Sequence, residues 1–209
     1  MTAERGRVDR LLALTALSYA ACHHLGALPE GLGQAGRGTH VTDWIDLLLP
    51  FLVLGPALAT LAAARASRAT WAAAAVGSML YASGHGIHLA ANSIGNVAPG
   101  ETAHLWDEQV GHWIWYAGVA VVAGALAAAT RDRPLPGTRR GLVVAVLLAV
   151  AVGSTWATNA TGGEFSWPGL GLAALASTWG VRHRHGPGLL LAVAGAAALV
   201  VVPVSLAVV

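Results

Sequence analysis

The sequence predicts an all-α integral membrane protein, a bundle of seven transmembrane helices forming a single domain over residues 1–209. Composition is the first reason. Of 209 residues, 56% are hydrophobic and 11% charged, and the mean hydropathy is +0.61; soluble domains carry about 25% charged residues. The second reason is a series of apolar windows near the length of about 20 residues that a spanning helix needs, at 11–28, 42–64, 70–93, 105–130, 141–158, 165–181 and 188–209. The third is the arginine distribution. All 12 basic residues are arginine, and with seven spans 11 of them fall on one side.

Each window has its own justification. The first follows Arg5, Arg7 and Arg10 as a secretory signal would, but Tyr19-Ala20-Ala21-Cys22 fits a cleavage box poorly at its first position, so the window is expected to remain as a span. The second opens on Thr42 and Asp43, residue types that cap a helix and complement its dipole. Arg65 and Arg68 separate it from the third, and the fourth opens on Asp107 and Glu108. Arg131, Arg133, Arg139 and Arg140 precede the fifth. The sixth is short and begins Trp167-Pro168, acceptable because proline is tolerated in a first helical turn. Arg182 and Arg184 precede the last, which has no ionisable residue. Small residues such as Ala120 and Gly124, four apart, favour close helix packing. Only Arg37 falls on the opposite side, so the positive-inside rule predicts a multi-pass protein of the cell membrane with a cytoplasmic N-terminus and an outside C-terminus.

In that orientation the polar residues gather at the outer end. His23 and His24 end the first window, Asp43 and Asp46 begin the second, and His85, His88 and Asn92 occupy the outer third of the third. Asp107, Glu108 and His112 begin the fourth, and Asn159 and Glu164 are expected in the outer loop after the fifth. His183 and His185 lie at the inner side among arginines. Ser78, Tyr81, His85, His88 and Asn92 recur at intervals of three and four and share one helical stripe. Glu108 and His112 are four apart on the next span. A short antiparallel connection, at about 1.5 Å rise per residue, brings His85 level with His112 and His88 level with Glu108.

Imidazoles and a carboxylate at one depth suit a borderline divalent metal such as zinc. The expected ligands are His88, His112 and Glu108, with Glu108 or Asp43 as catalytic base and His85, Asn92 and His23 completing the site. His23 is preferred to His24 because it follows Tyr19 by one helical turn. Asp43 and Asp46 also have a simpler role as first-turn acids, and Trp44, Trp106, Trp113 and Trp115 read as an interfacial belt.

The chemistry expected first is metal-dependent hydrolysis of a lipid-like or amphiphilic substrate reached from the outer leaflet. A haem-binding membrane cytochrome is the alternative, since histidines at one depth can serve as axial ligands. A metal or small-molecule sensor or transporter is a third reading, weakened for transport by inner halves nearly free of ionisable groups. Absent lysine excludes Schiff-base, pyridoxal and P-loop chemistry, and a single cysteine excludes intrachain disulfides and Cys-x-x-Cys motifs. With a formal charge of +2, no nucleic-acid partner is expected.

Overall fold

The computed structural model describes residues 2–24, 32–161, 167–183 and 186–208. Among them the chain is all-α apart from one short hairpin. The helices are α1 (Thr2–Cys22), α2 (Val41–Asp46), α3 (Leu49–Ala63), α4 (Arg68–Val97), α5 (Glu101–His104), α6 (His112–Thr130), α7 (Arg139–Thr161), α8 (Trp167–Arg182) and α9 (Pro187–Val208). A π-helical segment, Leu105–Gly111, joins α5 to α6 without a break. Strands β1 (Gln34–Gly36) and β2 (Thr39–His40) pair antiparallel. Arg37 and Gly38 between them both have positive φ, as the tight hairpin turn of type I′ requires.

Among the described residues four helical stretches are long and apolar enough to cross a membrane: Val41–Ala63, Glu101–Thr130, Arg139–Thr161 and Pro187–Val204. The other three windows also lie largely in helices, but each departs from a plain apolar rod. α1 starts at Thr2 rather than near residue 11, so it takes in the charged segment around Arg7, Asp9 and Arg10. α4 runs for 30 residues and carries the polar stripe. α8 has only 16 residues. The second window is interrupted after Asp46, where Pro50 enters the first turn of α3 and has no N–H to continue the helix from α2.

α4 and α6 form the most extensive helix pair, α7 and α8 pack on α9, and α1 lies between α3 and α7. Glycines set the α4–α6 spacing. A Cβ on Gly84 would strike the main chain of Trp115 and Gly111, and one on Gly118 would strike the main chain of Tyr81 and Gly77. Seven residues separate Gly77 from Gly84 and Gly111 from Gly118, so the two antiparallel helices meet twice backbone to backbone. Such contact gains dispersion energy that bulky side chains would block. Tyr19, Tyr81, Trp115, Tyr116 and Trp156 fill the core beside it, and the Tyr116 hydroxyl donates to the Trp156 carbonyl at 3.2 Å. At the far end of the bundle, Arg133 pairs with Asp9 at 2.7 Å and ties the α6–α7 connection to α1.

Candidate functional site: a histidine layer around Trp115

The close α4–α6 approach brings the side chains just beyond each glycine into contact. Trp115, on the first turn of α6, is only 4% exposed. Around it stand His23, His85, His112 and His88, with ring centroids 5.1, 5.2, 5.4 and 6.1 Å away. Trp115 is therefore the hub of the histidines and not part of an interfacial belt. Trp44, Trp106 and Trp113 are exposed, as a belt would have them. The expected stripe on α4 does face inward: Tyr81 and His85 are buried and His88 and Asn92 half-buried.

The histidines differ in how their nitrogens are used. His23 turns inward while His24 stays exposed. The His23 Nδ1–H donates to the Tyr19 carbonyl at 2.8 Å, and Nε2 accepts from the Tyr81 hydroxyl at 3.0 Å. Both nitrogens are thus taken up within the protein, so His23 braces the layer from α1 and has no nitrogen left for a cofactor. His85 places Nε2 3.0 Å from the Asp46 carbonyl and 3.3 Å from the Asp46 carboxylate. His112 donates from Nδ1 to the Glu108 carbonyl at 2.9 Å. His88 meets the Asp107 carboxylate at 2.6 Å through Nδ1. The His88 and His112 rings are 4.6 Å apart.

Two acids change places relative to the sequence reading. Asp107, not Glu108, faces His88; the Glu108 carboxylate lies 4.0 Å from His112 Nδ1. The cause is backbone register. The i, i+4 pair Glu108–His112 persists at 4.0 Å, but Leu105–Gly111 is π-helical, and i→i+5 periodicity also puts Asp107 on the same face as His112. Asp43, expected as a catalytic base, accepts a hydrogen bond from the His40 N–H at 2.8 Å and so serves the N-terminus of α2. One turn later Asp46 meets His85 instead. Asn92 sits half-buried one turn beyond His88 on α4. Asn159 lies in the last turn of α7 rather than in a loop, and Glu164 lies outside the described residues. At the opposite end His183 stacks on Trp179 at 4.4 Å, and His185 lies outside the described residues.

Asp46, Asp107 and Trp115 are the residues that sequence reasoning left out of the site. Only Asp46 and Asp107 carried a usable signal, as acids at the right depth. Among the described residues no three His, Cys, Asp or Glu side chains are gathered closely enough to enclose a metal ion. Two ring nitrogens of the layer, His85 Nδ1 and Trp115 Nε1, are buried without a hydrogen-bond partner among the described residues, as are side-chain polar atoms of Tyr19, Ser78, Trp156, Asn159 and Ser177. Comparison with known protein families, with curated proteins and with solved structures finds no match to this sequence.

Proposed function

We propose that the chain is a seven-span protein of the cell membrane, N-terminus cytoplasmic and C-terminus outside, whose outer histidine layer is a metal-dependent hydrolytic site for lipid-like or amphiphilic substrates. Four apolar helices support the membrane assignment, and the arginine asymmetry supports the remaining spans and the orientation. The observation that carries the site reading is the pairing of His88 and His112. Each has Nδ1 engaged by a carboxylate or a carbonyl, the arrangement that holds a metal-ligating imidazole in place and directs Nε2 to the ion. A divalent cation there, zinc by donor type, would supply water activation near neutral pH. Asp107 orients His88, and Glu108, the neighbouring carboxylate, is placed to ligate or to take a proton. The 4.6 Å ring separation favours a single ion over a haem, because rings in contact leave no room for a macrocycle between them.

The test is elemental analysis of detergent-solubilised protein purified without added metal or affinity-tag histidines. About one equivalent of a divalent transition metal is expected. His88→Ala and His112→Ala should lose it while remaining inserted and folded, and His183→Ala should keep it. Metal-free, folded wild-type protein would overturn the reading. Orientation is read separately by labelling single cysteines in a Cys22→Ala background: Ala98→Cys is expected to react from outside intact cells and Leu135→Cys to stay silent, and the reverse pattern would invert the topology.

A further inference from the structure

Charge at the arginine-rich end of the bundle is unevenly neutralised. In the α6–α7 connection Arg131 pairs with Asp132 at 3.4 Å and Arg133 with Asp9 at 2.7 Å. Arg139 and Arg140, which start α7, are exposed, have no ion-pair partner among the described residues, and open a first turn without an acid. Cations at that end of a helix also oppose its dipole, so nothing in the described chain offsets the pair. Directly beyond them Val143, Val144, Leu147 and Val150 are exposed. These four recur with the two arginines at intervals of three and four, on one side of α7. The exposed face then stops, for Gly153, Trp156 and Ala157 are buried. Val150 lies 11 residues beyond Arg139, about 16 Å along the axis at about 1.5 Å per residue. That is the depth of one leaflet in a hydrocarbon core about 30 Å thick.

We propose that this face of α7 holds an anionic phospholipid, its phosphodiester against Arg139 and Arg140 and an acyl chain along Val143, Val144, Leu147 and Val150. Guanidinium groups suit the phosphate, which they can engage through two parallel hydrogen bonds. A zwitterionic lipid brings an ammonium of its own to the two cations, whereas phosphatidylglycerol brings only the phosphate charge. A second copy of the chain seated on the same face by two-fold symmetry would bring the two arginine pairs together, so charge favours a lipid over a dimer. The proposal shares the membrane assignment made above and is independent of the orientation and of the metal site.

The experiment titrates the full chain, stripped of lipid in detergent, with dioleoylphosphatidylglycerol or dioleoylphosphatidylcholine and follows the first lipid bound by native mass spectrometry. Phosphatidylglycerol is expected to bind about tenfold or more tighter, each arginine near a membrane surface being worth about fivefold. Arg139→Gln combined with Arg140→Gln should erase that preference. Arg68→Gln combined with Arg182→Gln, which removes the same charge from exposed positions at the same end, should keep it. Leu147→Gln should weaken both lipids alike, and glycerol phosphate, the headgroup chemistry without acyl chains, should not compete. Equal affinity for the two lipids, an equal loss in both double variants, an unaffected Leu147→Gln, displacement by glycerol phosphate, or a dimer formed in place of the lipid complex overturns the proposal. Because the measurement needs neither an intact cell nor a bound metal, its failure is distinct from failure of the orientation or of the hydrolytic site.

Discussion

Adding a single methyl group at Gly84 should pull the histidine layer apart. A Cβ there would meet the main-chain nitrogen of Trp115 and the Gly111 carbonyl oxygen, the latter at 2.7 Å. Neither atom can swing away as a side chain does, so α4 and α6 must separate or tilt. Gly86, two residues on, has nothing within 4 Å of its missing Cβ. Gly84→Ala and Gly86→Ala share the same gain in helix propensity, roughly 0.5–1 kcal/mol, so their difference isolates the packing cost. Overpacking costs about 1–3 kcal/mol, and the upper end is expected because the opposing atoms are backbone. Gly86→Ala should therefore match or exceed the wild type in detergent unfolding titrations, and Gly84→Ala should fall below it by about 2 kcal/mol once propensity is subtracted. Gly84→Ala should also lose metal, because His85 and His88 sit on the displaced face. Equal stability of the two variants would refute the backbone-to-backbone account of the α4–α6 pair.

Asp107→Asn should lower metal affinity by about 10–100-fold through loss of the charge that orients His88, and Glu108→Gln by less; titration with a competing chelator checks the order, and a larger effect at Glu108 would contradict the π-helical register argument. Tyr81→Phe leaves His23 Nε2 unpaired in the core and should cost about 1–3 kcal/mol in unfolding titrations, with metal content unchanged; loss of metal would make His23 part of the site and not its brace. Asp43→Ala removes the acceptor at the His40 N–H and should destabilise by about 1 kcal/mol, again without loss of metal, whereas a metal-free variant would restore Asp43 to the site.

Much of the architecture was legible because membrane helices announce themselves by length and apolarity. The convergence of His23, His85, His88 and His112 was also legible, since depth along a helix and a three-four stripe are properties of spacing. The partners of those rings were not. Which acid meets His88 depends on a π-helical segment, and nothing in Leu105–Gly111 distinguishes that register from an α-helix by residue type. Asp43 and Asp46 are one turn apart with the same chemistry, and only the local hydrogen bond at His40 separates a cap from a histidine partner. Trp115 was misread for a related reason. Tryptophans near a membrane surface share one composition signal, and burial alone tells the hub from the belt.

The adjacent acids in the π-helical segment also bear on how this site tolerates change in length. A π-helical stretch is an α-helix that has absorbed an additional residue, so removing one residue between Asp107 and His112 would relax the stretch toward ordinary winding. Such a loss would leave Asp107 four residues before His112, the α-helical spacing for the same face, whereas a gain there would leave Glu108 five residues before it, so in either case a carboxylate stays on the side of the imidazoles. The adjacent acids thus make the charge beside His88 and His112 insensitive to a one-residue change in the winding of this segment.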